Sequence, residues 1–179
     1  MHITTRKLTA AAVTGAAYAA LTMLLAPISY GAIQCRVSEV LCILPFFIPC
    51  TAWGLFAGCA IANLLSAAGI FDVVFGSLAT LLAALCTAWL GRGRGAQSWL
   101  RSVLAALMPV VFNFVFVGAV LTWSLTDAVF PHLNASFWVF GGQVALGEVI
   151  VLGVLGLPLM RLLPRNPKFR EIIRSYQKE

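Results

Sequence analysis

Six apolar runs joined by short connections constrain the fold of this 179-residue chain more than any other feature. About 20 apolar residues form a helix that crosses the hydrocarbon core of a bilayer. Because 61% of the residues are hydrophobic and only 10% are charged, a soluble fold of this size could not bury so much apolar surface. The sequence therefore predicts a single domain over residues 1–179, an all-α integral membrane protein with a six-transmembrane-helix bundle. The predicted helices cover roughly residues 8–26, 37–50, 52–67, 72–90, 102–122 and 137–160.

The Lys and Arg residues are distributed so that one side of the predicted bundle carries nearly all of them. Arg6 and Lys7 precede the first run, three arginines lie between residues 91 and 101, and most of the others lie in the tail 161–179. When the N-terminus is placed in the cytoplasm, only Arg36 of the twelve Lys and Arg residues falls outside. Cytoplasmic loops carry such an excess of positive charge. The pattern predicts cytoplasmic termini and a multi-pass protein, and it assigns the net charge of +6 to orientation rather than to nucleic acid.

The second and third predicted helices are short for a membrane span, and Pro45 and Pro49 disturb the second one. We therefore expect the outer ends of these helices to stop below the membrane surface. The loop 27–34 would then fold inward over them. Irregular backbone at that depth is tolerated only against protein or a water-filled cavity, so the sequence predicts a pocket that opens to the outside, with Arg36 and Glu39 near its wall.

Polar residues inside the apolar runs indicate what such a pocket binds. Ionisable groups within a membrane are expensive and generally face a partner, a cavity or a ligand. Arg36 and Glu39 are three residues apart and share one face of a helix, whereas Asn113 and Glu148 lie halfway along their helices. We predict a binding site built from polar side chains, namely Gln34, Arg36, Glu39, Asn113, Gln143 and Glu148.

Several of these polar residues also have structural interpretations. Arg36 and Glu39 could neutralise one another, and Asn63 could bridge helices. Asp72 begins a helix, where an N-capping role is the favoured interpretation. Glu148 differs because it lies far from either membrane surface, so its burial requires a partner and favours ligand recognition.

The first predicted helix carries two rows of small residues at four-residue spacing. Such rows allow a second helix to approach closely. One row predicts a docking face for a partner helix, and a parallel row lies beside it. The first consists of Ala12, Ala16 and Ala20, and the second of Ala11, Gly15 and Ala19. At the other end of the chain, residues 165–179 predict a basic helix at the lipid interface.

Signatures of catalysis and of metal binding are not found in the sequence. It contains no Gly-x-x-x-x-Gly-Lys loop for nucleotide hydrolysis and no His-Glu-x-x-His motif. The five cysteines form no Cys-x-x-Cys pair and are interpreted as small buried hydrophobes. We therefore predict a protein that is not an enzyme and that uses neither a metal nor another cofactor.

Three stretches resemble the signature of the QueT family, whose members are substrate-binding S components of energy-coupling-factor (ECF) transporters for queuosine precursors. The stretches are APISYGAIQCRVSEVL at 26–41, GLFAGC at 54–59 followed by ANL at 62–64, and DVVFGSLATL at 72–81. The resemblance implies an S component in a bacterial cell membrane. It also implies a transmembrane coupling subunit and two cytoplasmic ATPases as partners, with the alanine-rich first helix as the docking face for the coupling subunit.

The resemblance implies a 7-deazaguanine ligand such as queuine or its cyano- or aminomethyl-substituted precursors. Such a base presents a ring N–H and an exocyclic amine that one carboxylate can accept together. It also presents a carbonyl for a donor such as Arg36 and a flat face for an aromatic shelf. The aromatic candidates are Tyr30, Phe112, Phe116 and Trp138. The alternatives are a stand-alone membrane carrier for a nucleobase or vitamin-like molecule and a structural membrane protein.

Overall fold

The fold is known from a computed structural model, which describes residues 4–30, 34–66, 68–92, 98–126 and 134–177. No strand occurs among these residues, so the all-α prediction is confirmed for them. A ten-residue 3₁₀ helix, Val37–Phe46, lies among eight α-helices. The α-helices are α1 (Thr5–Leu24), α2 (Ala26–Ser29), α3 (Thr51–Asn63), α4 (Ser77–Leu90), α5 (Trp99–Thr126), α6 (Ala135–Val151), α7 (Leu157–Leu162) and α8 (Pro167–Gln177).

Four helical segments of the described chain are long and apolar enough to cross a membrane. Two contain π-helical turns, Asp72–Gly76 before α4 and Leu152–Gly156 between α6 and α7. These four candidate spans agree with the predicted membrane class, whereas six spans, cytoplasmic termini and a single domain stay predictions. The four segments are Thr5–Leu24, Asp72–Leu90, Trp99–Thr126 and Ala135–Arg165.

The second predicted helix is shorter and more tightly wound than the sequence indicates. Instead of an α-helix over 37–50, the chain forms the 3₁₀ helix Val37–Phe46, which includes Pro45 and ends before Pro49. A 3₁₀ helix has three residues per turn and is seldom longer than four residues. This one is held from outside, because it packs against α1, α3, α4, α5 and α6. It forms the buried centre of the bundle.

The close approach of α1 and α3 depends on glycine at the points of contact. A Cβ atom on Gly54 would lie 1.9 Å from the carbonyl oxygen of Ala11, and one on Gly58 would lie 2.3 Å from that of Gly15. The row of Ala11, Gly15 and Ala19 therefore faces α3 inside the protein. The predicted docking row lies on the other side of the same helix, where Ala12, Ala16 and Ala20 are exposed.

Candidate functional site

A buried ion pair joins the start of the 3₁₀ helix to the start of the Asp72–Leu90 segment. Arg36 Nη2 lies 3.3 Å from Asp72 Oδ2, with both side chains almost fully buried. The guanidinium group also lies over the ring of Tyr30, 5.6 Å from its centroid. The suggested pairing of Arg36 with Glu39 and the N-capping role of Asp72 are therefore wrong. The partner of Arg36 comes from another element because helix packing brings Asp72 beside it.

Glu39 has hydrogen-bond partners of its own inside the bundle. The hydroxyl group of Tyr18 donates to Glu39 Oε1 at 2.5 Å, and the thiol of Cys42 donates to Oε2 at 3.0 Å. Residues three apart eclipse one another in a 3₁₀ helix, which explains the contact between Glu39 and Cys42. Thr80 donates to Cys59 Sγ at 3.3 Å in the same network. The interpretation of the cysteines as simple hydrophobes therefore missed their part in this polar network.

The third buried group is formed by facing side chains of α5 and α6. Asn113 Nδ2 donates to Glu148 Oε1 at 2.5 Å, and the two residues are 2% and 1% exposed. The sequence-based expectation that Glu148 needs a partner is met by Asn113. The second carboxylate oxygen of Glu148, Oε2, has no protein partner among the described residues. Glu148 is therefore only half satisfied.

The three groups lie close to one another across the bundle. Cys35, next to Arg36, has its sulfur 3.9 Å from the carbonyl oxygen of Gly147 on α6. The 3₁₀ helix that carries Glu39 also packs against α6, which carries Glu148. One guanidinium group thus shares the region with the three carboxyl groups of Glu39, Asp72 and Glu148. This excess of acidic groups favours a ligand that donates hydrogen bonds or carries positive charge.

Several buried polar atoms around these groups have no hydrogen-bond partner among the described residues. Buried polar atoms are nearly always paired, and an unpaired one costs about 1–3 kcal/mol. Acceptors outnumber donors among these atoms, so the set matches a donor-rich molecule. Arg36 Nε is a donor, the hydroxyl oxygen Ser29 Oγ can donate or accept, and the acceptors are Gln34 Oε1, Asn63 Oδ1, Asp72 Oδ1, Asn113 Oδ1 and Glu148 Oε2.

Gln34 combines burial with a strained backbone. It is 8% exposed and has φ of 29°, the only positive φ among the described non-glycine residues. Backbone strain of this kind costs of order 1–3 kcal/mol and clusters at functional sites. Its position agrees with the predicted inward course of the loop before the 3₁₀ helix, although residues 31–33 of that loop lie outside the described chain.

Asn63, Tyr30 and Gln143 differ in their surroundings. Asn63 Nδ2 donates to the carbonyl oxygen of Asp72 at 2.9 Å, as expected for a helix-bridging residue. Tyr30 donates its hydroxyl to the carbonyl oxygen of Ala62 at 2.5 Å, which directs its ring under Arg36. Gln143 is half-buried on α6, one and a half turns before Glu148.

The proposed aromatic shelf has fewer candidates than the sequence suggests. Trp138 is 64% exposed, so it lies on the outer surface of the bundle. Phe112 and Phe116 are half-buried with ring centroids 6.5 Å apart. Tyr30 is the ring that contacts Arg36. Among the described residues, no group of three or more His, Cys, Asp or Glu side chains is arranged to hold a metal ion.

Comparison with known families places this all-helical chain in the class of membrane transporters. The chain belongs to the QueT transporter family, whose family model matches residues 8–165. The resemblance seen in residues 26–81 is thereby confirmed and extended to the later helices. No curated protein and no solved structure matches the chain. Family membership indicates a small-molecule substrate handled in a membrane.

Proposed function

We propose that the protein is the substrate-binding S subunit of an ECF-type, ATP-driven importer in a bacterial cell membrane. It binds a queuosine precursor of the 7-deazaguanine class from outside the cell. The observation that carries this proposal is the set of unpartnered buried atoms that includes Arg36 Nε and Glu148 Oε2, in which acceptors outnumber donors. Membership of the QueT transporter family supports the transport role.

The hydrogen-bonding edge of a 7-deazaguanine complements this set of atoms. Its ring N–H and exocyclic amine are adjacent donors, which Glu148 Oε2 and Asn113 Oδ1 can accept. Its carbonyl oxygen is an acceptor, which Arg36 Nε can satisfy. Each buried pair formed in this way replaces an unpaired polar atom, so binding removes a cost already present in the protein. Tyr30, Gln34, Glu39 and Gln143 line the remainder of the proposed site.

The balance of charge around the site predicts which precursors bind best. The interior of the bundle holds the three carboxyl groups of Glu39, Asp72 and Glu148 and one guanidinium group, that of Arg36. A precursor whose substituent carries an amine adds positive charge, whereas the cyano group adds only an acceptor. We expect the aminomethyl precursor and queuine to bind more tightly than the cyano precursor.

A binding panel with the purified protein tests the substrate. Isothermal titration calorimetry is run with the cyano and aminomethyl precursors, queuine and the nucleoside, and with a vitamin of unrelated structure as the control. We expect binding of at least one deazaguanine and none of the vitamin. If no deazaguanine binds while the vitamin does, the proposed substrate is wrong.

Co-expression with the coupling subunit and the two ATPases tests the role as an S subunit. An affinity tag on this chain should capture all three proteins. Uptake of the precursor by cells should stop when the ATPases lack their catalytic residues. Uptake by this chain alone, unchanged by loss of the ATPases, would instead establish the stand-alone carrier.

A further inference from the structure

A basic groove lies at the end of the bundle opposite the Arg36–Asp72 ion pair. Its volume is about 880 Å³. It is bounded by the end of the 3₁₀ helix at Phe46, the end of α4 at Gly91, the start of α5 at Trp99, and the segment from α7 to α8. Because Arg36 begins the 3₁₀ helix and Asp72 begins the segment that ends near Gly91, the groove is separate from the candidate substrate site.

Four arginines line this groove, namely Arg161, Arg165, Arg170 and Arg174. All four are exposed, and none of the described residues that line the groove is acidic. The positive charge is therefore not neutralised within the groove wall. Guanidinium groups present planar pairs of donors that match the oxygens of a phosphate group. The groove thus has the chemistry of a binding site for a phosphate-bearing anion.

The position of the groove relates this anion site to the membrane surface. Trp99 begins the membrane-length segment Trp99–Thr126, and Arg161 and Arg165 lie in the last turns of Ala135–Arg165. The guanidinium group of Arg161 lies 3.8 Å above the Trp99 ring centroid. Tryptophan at the end of a membrane span lies at the level of lipid headgroups, and basic residues beside it favour anionic lipids.

Apolar side chains complete the wall of the groove beside the arginines. Phe46, Phe47 and Met160 line it from the bundle side. The ring of Phe47 packs edge-on against Phe169 of α8, with centroids 5.6 Å apart, which holds the basic helix against the bundle. A lipid presents a phosphate next to glycerol and acyl chains, so it matches both parts of this lining. An acidic protein segment would match only the charge.

We propose that this groove is a specific binding site for the headgroup of an anionic phospholipid. The phosphate group binds between the arginines of α7, of the 3₁₀ turn Leu163–Arg165 that follows it, and of α8. The start of the acyl chains contacts the apolar wall. Lipid binding gives the basic tail a function, and this function does not depend on the substrate of the transporter.

Native mass spectrometry of the full chain, released from detergent, tests the site. Phosphatidylglycerol is titrated against the wild type, against the double variant Arg165→Gln/Arg170→Gln, and against a control that also loses two positive charges, Arg92→Gln/Lys168→Gln. Neither control residue lines the groove, although Lys168 lies on α8. Since loss of one charge-assisted hydrogen bond to a phosphate oxygen lowers affinity on the order of tenfold, we expect at least about a tenfold loss in the groove variant. The control should stay within about threefold of the wild type, because neither of its residues lines the groove.

The comparison ligands separate the possible sources of the anion. Phosphatidylcholine and soluble glycerol phosphate should bind at least about tenfold more weakly than phosphatidylglycerol, because one lacks net charge and the other lacks acyl chains. If both double variants lose the same amount of affinity for phosphatidylglycerol, general surface charge rather than a specific site accounts for binding. If glycerol phosphate binds as tightly as phosphatidylglycerol, or if an acidic peptide at equal concentration displaces the lipid, a lipid is not the occupant of the groove.

Discussion

Glu148 and Asn113 form the most sharply defined contact of the candidate site. One carboxylate oxygen accepts from the amide, and the other has no protein partner among the described residues. A buried carboxylate held by a single hydrogen bond is costly, so a ligand donor at Oε2 would stabilise the arrangement. Glu148 is therefore the first residue of the site to mutate.

We predict that Glu148→Gln lowers the affinity for the deazaguanine about ten- to a hundredfold. The amide is both donor and acceptor, so one charge-assisted bond worth ~1.5–3 kcal/mol is lost. Thermal stability should change little, because the substitution also removes a buried carboxyl group and an amide can still accept from Asn113. Calorimetry and thermal unfolding on the same preparation measure both effects.

Glu171→Gln is the control for this prediction. Glu171 is exposed on α8 and outside the candidate site, and it undergoes the same chemical change. It should leave affinity and stability at their wild-type values. A folded Glu148→Gln protein with undiminished affinity would remove Glu148 from the site and leave Glu39 as the next carboxylate to test.

The two faces of helix α1 have different surroundings, since one contacts α3 and the other is exposed. Gly15 permits contact with α3, since a Cβ there would lie 2.5 Å from the carbonyl oxygen of Gly54. Ala12, Ala16 and Ala20 remain exposed on the other face. Small residues on an outer face permit a second helix to approach closely. The internal contact and the proposed docking contact are therefore separable by mutation.

We predict that Ala16→Trp weakens assembly with the coupling subunit about five- to thirtyfold, since even one helix-separating side chain removes close packing worth on the order of 1–2 kcal/mol. Ligand affinity should be nearly unchanged, because Ala16 points away from the polar groups of the bundle. Quantitative co-purification measures assembly. Leu146→Trp, at a 53% exposed position of α6, introduces the same ring on another face and should assemble normally.

Two further variants distinguish docking from folding. Gly15→Leu should lower the thermal stability of the isolated chain, because its side chain enters the contact with α3. If large residues at Ala12, Ala16 and Ala20 together leave assembly intact, α1 does not provide the docking face.

In the whole molecule, the basic groove and the Arg36–Asp72 ion pair lie at opposite ends of the bundle. The Asp72–Leu90 segment connects them, with Asp72 in the ion pair and Gly91, just after its end, in the groove wall. If positive residues mark the cytoplasmic side, the substrate site lies toward the outside. This arrangement suits a protein that captures its ligand outside the cell.

We predict that the tail after α8 is cytoplasmic and that the connection between α5 and α6 is external. Epitope tags are placed after residue 179 and, in a second protein, between residues 129 and 130. In intact spheroplasts only the second tag should bind antibody, and permeabilisation should expose the first. Ligand affinity serves as the control for correct folding of each tagged protein. Antibody binding to the tail of intact spheroplasts would show that the orientation is reversed.

The amino-acid sequence alone was sufficient to predict the class of the protein and its family. Apolar length is a local property, so the start and end of the Asp72–Leu90 segment were predicted to the residue. The need of Glu148 for a partner also followed from the sequence, because burial of a charge in an apolar run is costly whatever surrounds it. The stretches within residues 26–81 carried the family resemblance, which the family model confirms.

The choice of partners depended on the three-dimensional packing of the helices. Arg36 pairs with Asp72, 36 residues away, and Glu39 accepts from Tyr18, 21 residues away. Spacing along one helix could suggest only local pairs such as Arg36 with Glu39. The 3₁₀ geometry that brings Cys42 to Glu39 is likewise a product of the five surrounding helices, since so long a 3₁₀ helix is unfavourable without them. Local periodicity encodes which segments are helical, but which polar groups meet is set by how those helices pack.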